Sequence, residues 1–137
     1  MFVARQKLPM LAILLLLAIN TVVLLFHIAI ISKVIPYKIT WGGKLKSDAD
    51  MYVFEAISIL VNLFFSFTLM VKAQFIRAIL PLKAVNVLLW IFFAIYILNT
   101  LANLFAATTF ERWLTVLTFL YALLLAPVLL PGKNVTR

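Results

Sequence analysis

Apolar and polar positions alternate along this chain in long blocks. Four apolar runs stand out, over about Pro9–Ile31, Met51–Val71, Ala84–Ala106 and Trp113–Leu130. Each is close to the roughly 20 residues that an α-helix needs to cross the hydrocarbon core of a bilayer. The polar stretches between them carry helix boundary signals. Pro9 suits a first helical turn. Ser47, Asp48 and Asp50 supply a cap and acidic first-turn residues for the second run. Thr108-x-x-Glu111 reads as a capping box before the fourth, and Pro131–Gly132 ends it. The pattern predicts an all-α fold of four antiparallel transmembrane helices in one bundle, forming a single domain over 1–137.

The connections differ in length. Ser32–Asp50 is the longest and holds Pro36, Tyr37, Trp41, a Gly42–Gly43 turn pair, four lysines and two aspartates. Tyr37 and Trp41 suit a membrane interface. Lys72–Lys83 has an apolar spacing that predicts a short interfacial helix or a continued second span. Ala107–Arg112 is short, so the third and fourth spans form a tight hairpin. The first run follows a basic start with Arg5 and Lys7, as a signal peptide does. It nevertheless continues well beyond the roughly 7–15 apolar residues of such a segment, with no small-x-small cleavage site after it, so it is read as a retained span.

Composition reinforces this reading. The chain has 137 residues, 66% hydrophobic and only 12% charged, with a mean hydropathy of +1.19. A domain of this size has too little interior to hide that much apolar surface from water. The net charge of +8 would suggest a nucleic-acid partner in a soluble protein. Here the basic residues flank apolar spans, where topology and lipid headgroups place them, so the expected partner is the bilayer and no nucleic acid. Cysteine is absent and histidine occurs once, which excludes thiolate chemistry and a multi-histidine metal site within one chain. Arg5, Lys7, Lys72, Arg77, Lys83, Lys133 and Arg137 lie on one side, against Lys33, Lys38, Lys44, Lys46 and Arg112 on the other. That excess predicts cytoplasmic termini. The Asn134–Val135–Thr136 sequon then falls on the cytoplasmic side and is read as chance.

Polar residues inside the spans carry the functional information, because lipid makes them costly. At about 100° per residue, Glu55, Ser58, Asn62 and Ser66 share one face of the second span. Asn20 and His27 share a face of the first, and Asn99 and Asn103 a face of the third, with Tyr96 one turn earlier. Thr115, Thr118, Ala122 and Ala126 form a small-residue face on the fourth. If these faces point inward, His27, Glu55, Asn99 and Asn103 form a polar layer near the outer mouth. Arg112 is within reach of that layer, and Asn20 and Asn62 sit deeper. The ordinary role for the amides and hydroxyls is to hold helices together, and a lone histidine is most often a packing residue. Glu55 differs, since a buried carboxylate needs a partner; Arg112 or a loop lysine is a ready one.

The candidate ligand-binding or proton-relay residues are therefore Glu55, His27, Asn62, Asn99, Asn103 and Arg112. A carboxylate and an imidazole can pass a proton, or bind a cationic or hydrogen-bonding ligand between helices. No nucleotide loop, serine-nucleophile motif, paired-histidine helix or haem or quinone ligand set is present, and no cofactor is expected. Three readings stay open: a non-enzymatic protein binding a small ligand or partner at the outer polar layer, a small enzyme or proton-coupled carrier using Glu55 and His27, and a structural subunit of a larger complex or homo-oligomer.

Trp41–Gly42–Gly43–Lys44–Leu45, followed by Met51–Tyr52–Val53–Phe54–Glu55–Ala56–Ile57–Ser58, resembles a signature of small, uncharacterised four-helix bacterial membrane proteins. Asn99–Thr100–Leu101–Ala102–Asn103–Leu104–Phe105, with Phe110–Glu111, is similar to the same set. The resemblance covers most of the chain after the first span. It implies a bacterial inner membrane and no particular activity. The four-helix sterol-isomerase-like fold is a more distant analogy, and this chain lacks the first-span acid expected there.

Overall fold

The structure, a computed structural model, describes residues 2–77 and 80–130, excluding the side chains of 2–6. Pro131–Gly132, the sequon at Asn134 and the basic Lys133 and Arg137 lie outside the described residues, as does the Arg5 side chain. Four α-helices follow in order: α1, Phe2–Ile31; α2, Asp48–Lys72; α3, Leu82–Leu104; and α4, Thr109–Leu129. All four are long and apolar enough to cross a membrane. No strand occurs among the described residues. α1 packs on α2 and α4, and α3 packs on the same two, so the helices form an antiparallel ring. At most 22% of any spanning segment is buried within the bundle, which leaves its apolar outer surface for lipid.

Local chemistry explains the boundaries. Ser47 caps α2, its hydroxyl accepting from Asp50 N at 3.1 Å. Thr108 caps α4, accepting from Glu111 N at 3.2 Å and donating to Glu111 Oε2 at 2.8 Å. Two expectations are corrected. α1 begins at Phe2, so Pro9 lies inside it and not in its first turn, where it removes one main-chain donor from the helix. Pro127 likewise lies within the last turn of α4. In the Lys72–Lys83 connection residues 73–77 and 80–81 are not helical and α3 begins at Leu82; α2 stops at Lys72 in a left-handed C-terminal cap. Gln74 adopts φ 61°, its N–H bonds Val71 O, and the Phe75 N–H reaches Met70 O. Lys33, at φ 59°, closes α1 the same way through Ile30 O and Ala29 O. Neither position is glycine, so each carries a modest backbone cost.

The apolar core is concentrated at the end where α1 and α3 begin. Ala12, Ile13 and Leu16 meet Phe65, Leu69, Val85, Leu89, Phe92, Leu125 and Val128 there, all buried. Polar side chains occupy the middle and the opposite end. The latter is the loop end, where residues 32–47 and the α3–α4 turn lie.

Candidate functional site

Glu55 is the first buried polar position along α2 and is wholly enclosed. Ser47 and the first-turn aspartates fix the helix start, and one further turn carries residue 55 into the bundle against α1. There His27, one turn before the end of α1, places Nδ1 2.6 Å from Glu55 Oε2. The other carboxylate oxygen, Oε1, accepts from Trp41 Nε1–H at 3.1 Å. Both oxygens are thus held from within the chain, as a buried carboxylate requires. The His27 side chain is 17% exposed while that of Glu55 is fully enclosed.

Trp41 arrives from the connecting loop. Two single-turn 3-10 helices, Tyr37–Ile39 and Trp41–Gly43, fold the loop back over the bundle. Thr40 between them is buried, and its hydroxyl donates to Tyr37 O. The Trp41 ring packs on Phe54 at 4.9 Å. Trp41 has φ 55°, a left-handed conformation unusual for a bulky residue. Such strain costs about 1–3 kcal/mol and persists only where neighbours enforce it. Those neighbours are Phe54, Glu55 and the α4 cap, since Thr108 Oγ1 lies 3.3 Å from Ile39 O. Phe26 stacks on Phe110 at 5.5 Å and tethers the end of α1 to the start of α4. Glu111 is buried beneath this loop beside Thr108. At the rim, Lys33 pairs with Asp48, and the aspartate holds the lysine ammonium above its ordinary pKa. A cavity of about 260 Å³ opens nearby, lined by Lys33, Ile35, Pro36, Tyr37 and Lys38.

A second polar node lies deeper. Asn20 is fully buried on α1. Its Nδ2 donates to Asn62 O at 2.9 Å and to Ser66 Oγ at 2.8 Å. Its Oδ1 accepts from Tyr121 O–H at 3.0 Å. The node joins three helices with every Asn20 polar atom satisfied. Below it the buried side chains are apolar except Thr68, whose hydroxyl donates to Phe64 O on its own helix, and the polar contacts of the described residues form no continuous chain to the far end.

The sequence-predicted residues therefore separate. Glu55 and His27 come together. Asn62 sits at the deeper node, its own amide donating to Ser58 O on the same helix. Asn99 and Asn103 do not join the layer: Asn99 is exposed, Asn103 half-buried, and neither side chain bonds a described residue. Glu55 faces α1, so the α3 amides fall on another flank. Arg112 does not pair with Glu55 either; its guanidinium donates to Ala106 O and Ala107 O, closing the hairpin turn at the end of α3. Thr118 does act from the small-residue face, meeting Thr100 at 3.0 Å. Trp41 and Tyr121 were missed as site residues. Tyr121 shares a face with Thr118, three residues earlier, so helical spacing could have found it. Nothing local marks Trp41 as the partner of Glu55.

The described residues contain no cluster of three or more acidic or histidine side chains able to hold a metal ion. Comparison with protein families, curated proteins and solved structures finds no match to this chain.

Proposed function

We propose that this chain is a membrane-resident binding protein whose loop end takes a small ligand or a partner segment at the His27–Glu55 pair. One observation carries the reading. One oxygen of a fully buried carboxylate is closed off by a strained loop tryptophan, while the other meets His27 on α1. A closure made from a loop can open without dismantling the bundle, and relief of strain at Trp41 favours opening. The chain's multi-pass character suits a ligand or partner met at the membrane surface. On the Lys and Arg distribution we place both termini in the cytoplasm, and on the resemblance noted above we place the protein in a bacterial plasma membrane.

The short His27–Glu55 contact also suits proton transfer between the two groups. Transmembrane carriage would need a polar route through the apolar half of the bundle, and the buried residues there favour binding over carriage. A structural-subunit role would leave Trp41 and Glu55 as helix and loop glue.

A thermal-shift screen of the purified chain in detergent tests the proposal. A ligand of the site raises the melting temperature of the native protein. The shift is expected to vanish in Glu55→Gln and to grow in Trp41→Phe. Hits that stabilise all three proteins equally would contradict a site at Glu55.

A further inference from the structure

We infer that the guest of this site is a lipophilic amine, its ammonium on Glu55 Oε1 in the place now held by the Trp41 indole N–H. The inference rests on the binding reading above and names its ligand class. The indole is an internal stand-in. It presents an N–H donor to a carboxylate oxygen at 3.1 Å while its ring lies against Phe54 at 4.9 Å. A guest that replaces it needs the same two parts, a donor and an apolar body.

Charge decides the nature of the donor. A neutral N–H would exchange one uncharged hydrogen bond for another. An ammonium makes a charge-assisted bond, stronger in a water-poor site. Glu55 is the acidic member of the cluster, so a cationic guest meets a carboxylate oxygen there. An anionic guest is disfavoured beside the carboxylate.

The surroundings decide the body and the route. Lys33, Lys38, Lys44 and Lys46 are all exposed on the water-facing loop and repel a hydrophilic cation. The flank of α2 beside Glu55 is aromatic instead, with Tyr52 and Phe54 exposed. An amine carried on a hydrophobic body reaches the site along that flank from the bilayer. Aromatic faces near the ammonium add cation–π attraction.

Calorimetric titration of the full chain in nanodiscs tests this, with tryptamine as the cationic probe, 3-methylindole as its neutral counterpart and empty nanodiscs as the partition control. Trp41→Phe keeps the aromatic packing and removes the competing donor. It is expected to tighten tryptamine binding about tenfold, equivalent to about 1.4 kcal/mol. Glu55→Gln is expected to weaken it at least tenfold, and 3-methylindole to bind at least tenfold more weakly than tryptamine. If Glu55→Gln does not fold, Trp41→Phe and the paired probes decide the matter. Equal binding of the two probes, still sensitive to Trp41→Phe, overturns the amine assignment and leaves the binding reading standing. Tryptamine affinity unchanged by both substitutions overturns the amine assignment. If no binding above the empty-nanodisc control occurs for either probe, in the native chain or in Trp41→Phe, the amine assignment and the binding reading at Glu55 both fall.

Discussion

At the scale of single residues, Glu55 and His27 depend on one another. Removing the imidazole leaves a buried carboxylate oxygen without its partner, and an unsatisfied buried acceptor costs about 1–3 kcal/mol, more where it is charged. His27→Ala should therefore be strongly destabilising. Glu55→Gln should be milder, since the amide oxygen still accepts from Trp41 Nε1 and the amide N–H can donate to the imidazole. Adding Glu55→Leu to His27→Ala should recover part of the loss, because no unpaired charge then remains. Unfolding equilibria in mixed micelles would measure this cycle. Strict additivity of the two single changes would show that the 2.6 Å contact carries no coupling. The exposed Lys33–Asp48 pair is a contrast. Because Asp48 raises the lysine pKa, the pair's stabilisation is present below the ordinary lysine range and is lost as pH rises through the raised value. Solvent screening keeps that contribution small.

At the scale of helices and turns, much was legible in the pattern and some was not. The four spans followed from run length. The caps at Ser47 and Thr108 followed from side chains that bond their own helix ends, a local property. Glu55 and His27 were legible as costly polar positions near facing helix ends, two turns inside α2 and one turn inside α1. Their match with Asn99, Asn103 and Arg112 was not, because periodicity says which residues share a face and not where that face points. Arg112 instead found nearer acceptors in the preceding turn. The Trp41 contact spans fourteen residues through a loop whose left-handed conformation tertiary packing imposes. Two element-scale predictions follow from observed bonds. Tyr121→Phe leaves Asn20 Oδ1 without its donor and should cost about 1–3 kcal/mol, the usual range for a buried unsatisfied acceptor. Gln74→Gly should stabilise the end of α2 by about 1 kcal/mol by removing the left-handed penalty, whereas Gln74→Val should destabilise it. Thermal unfolding of the variants checks both; a gain from valine would refute the cap.

At the scale of the whole molecule, the bundle is polarised along its axis. Half of it is sealed by Leu16, Phe65, Leu69, Leu89 and Leu125, and the other half is closed by a folded loop over a buried carboxylate. This division places the stable packing away from the part proposed to move, so opening the loop need not disturb the core. It also limits what enters at the loop end to the depth of the Asn20 node. The most direct test is nitrogen-15 NMR of the Trp41 indole N–H in nanodiscs. A slowly exchanging indole proton is expected in the native chain. Its protection should be lost in Glu55→Leu and also when tryptamine saturates the site. An indole proton that exchanges equally fast in the native chain and in Glu55→Leu would contradict the closure of Glu55 by Trp41, and with it the site.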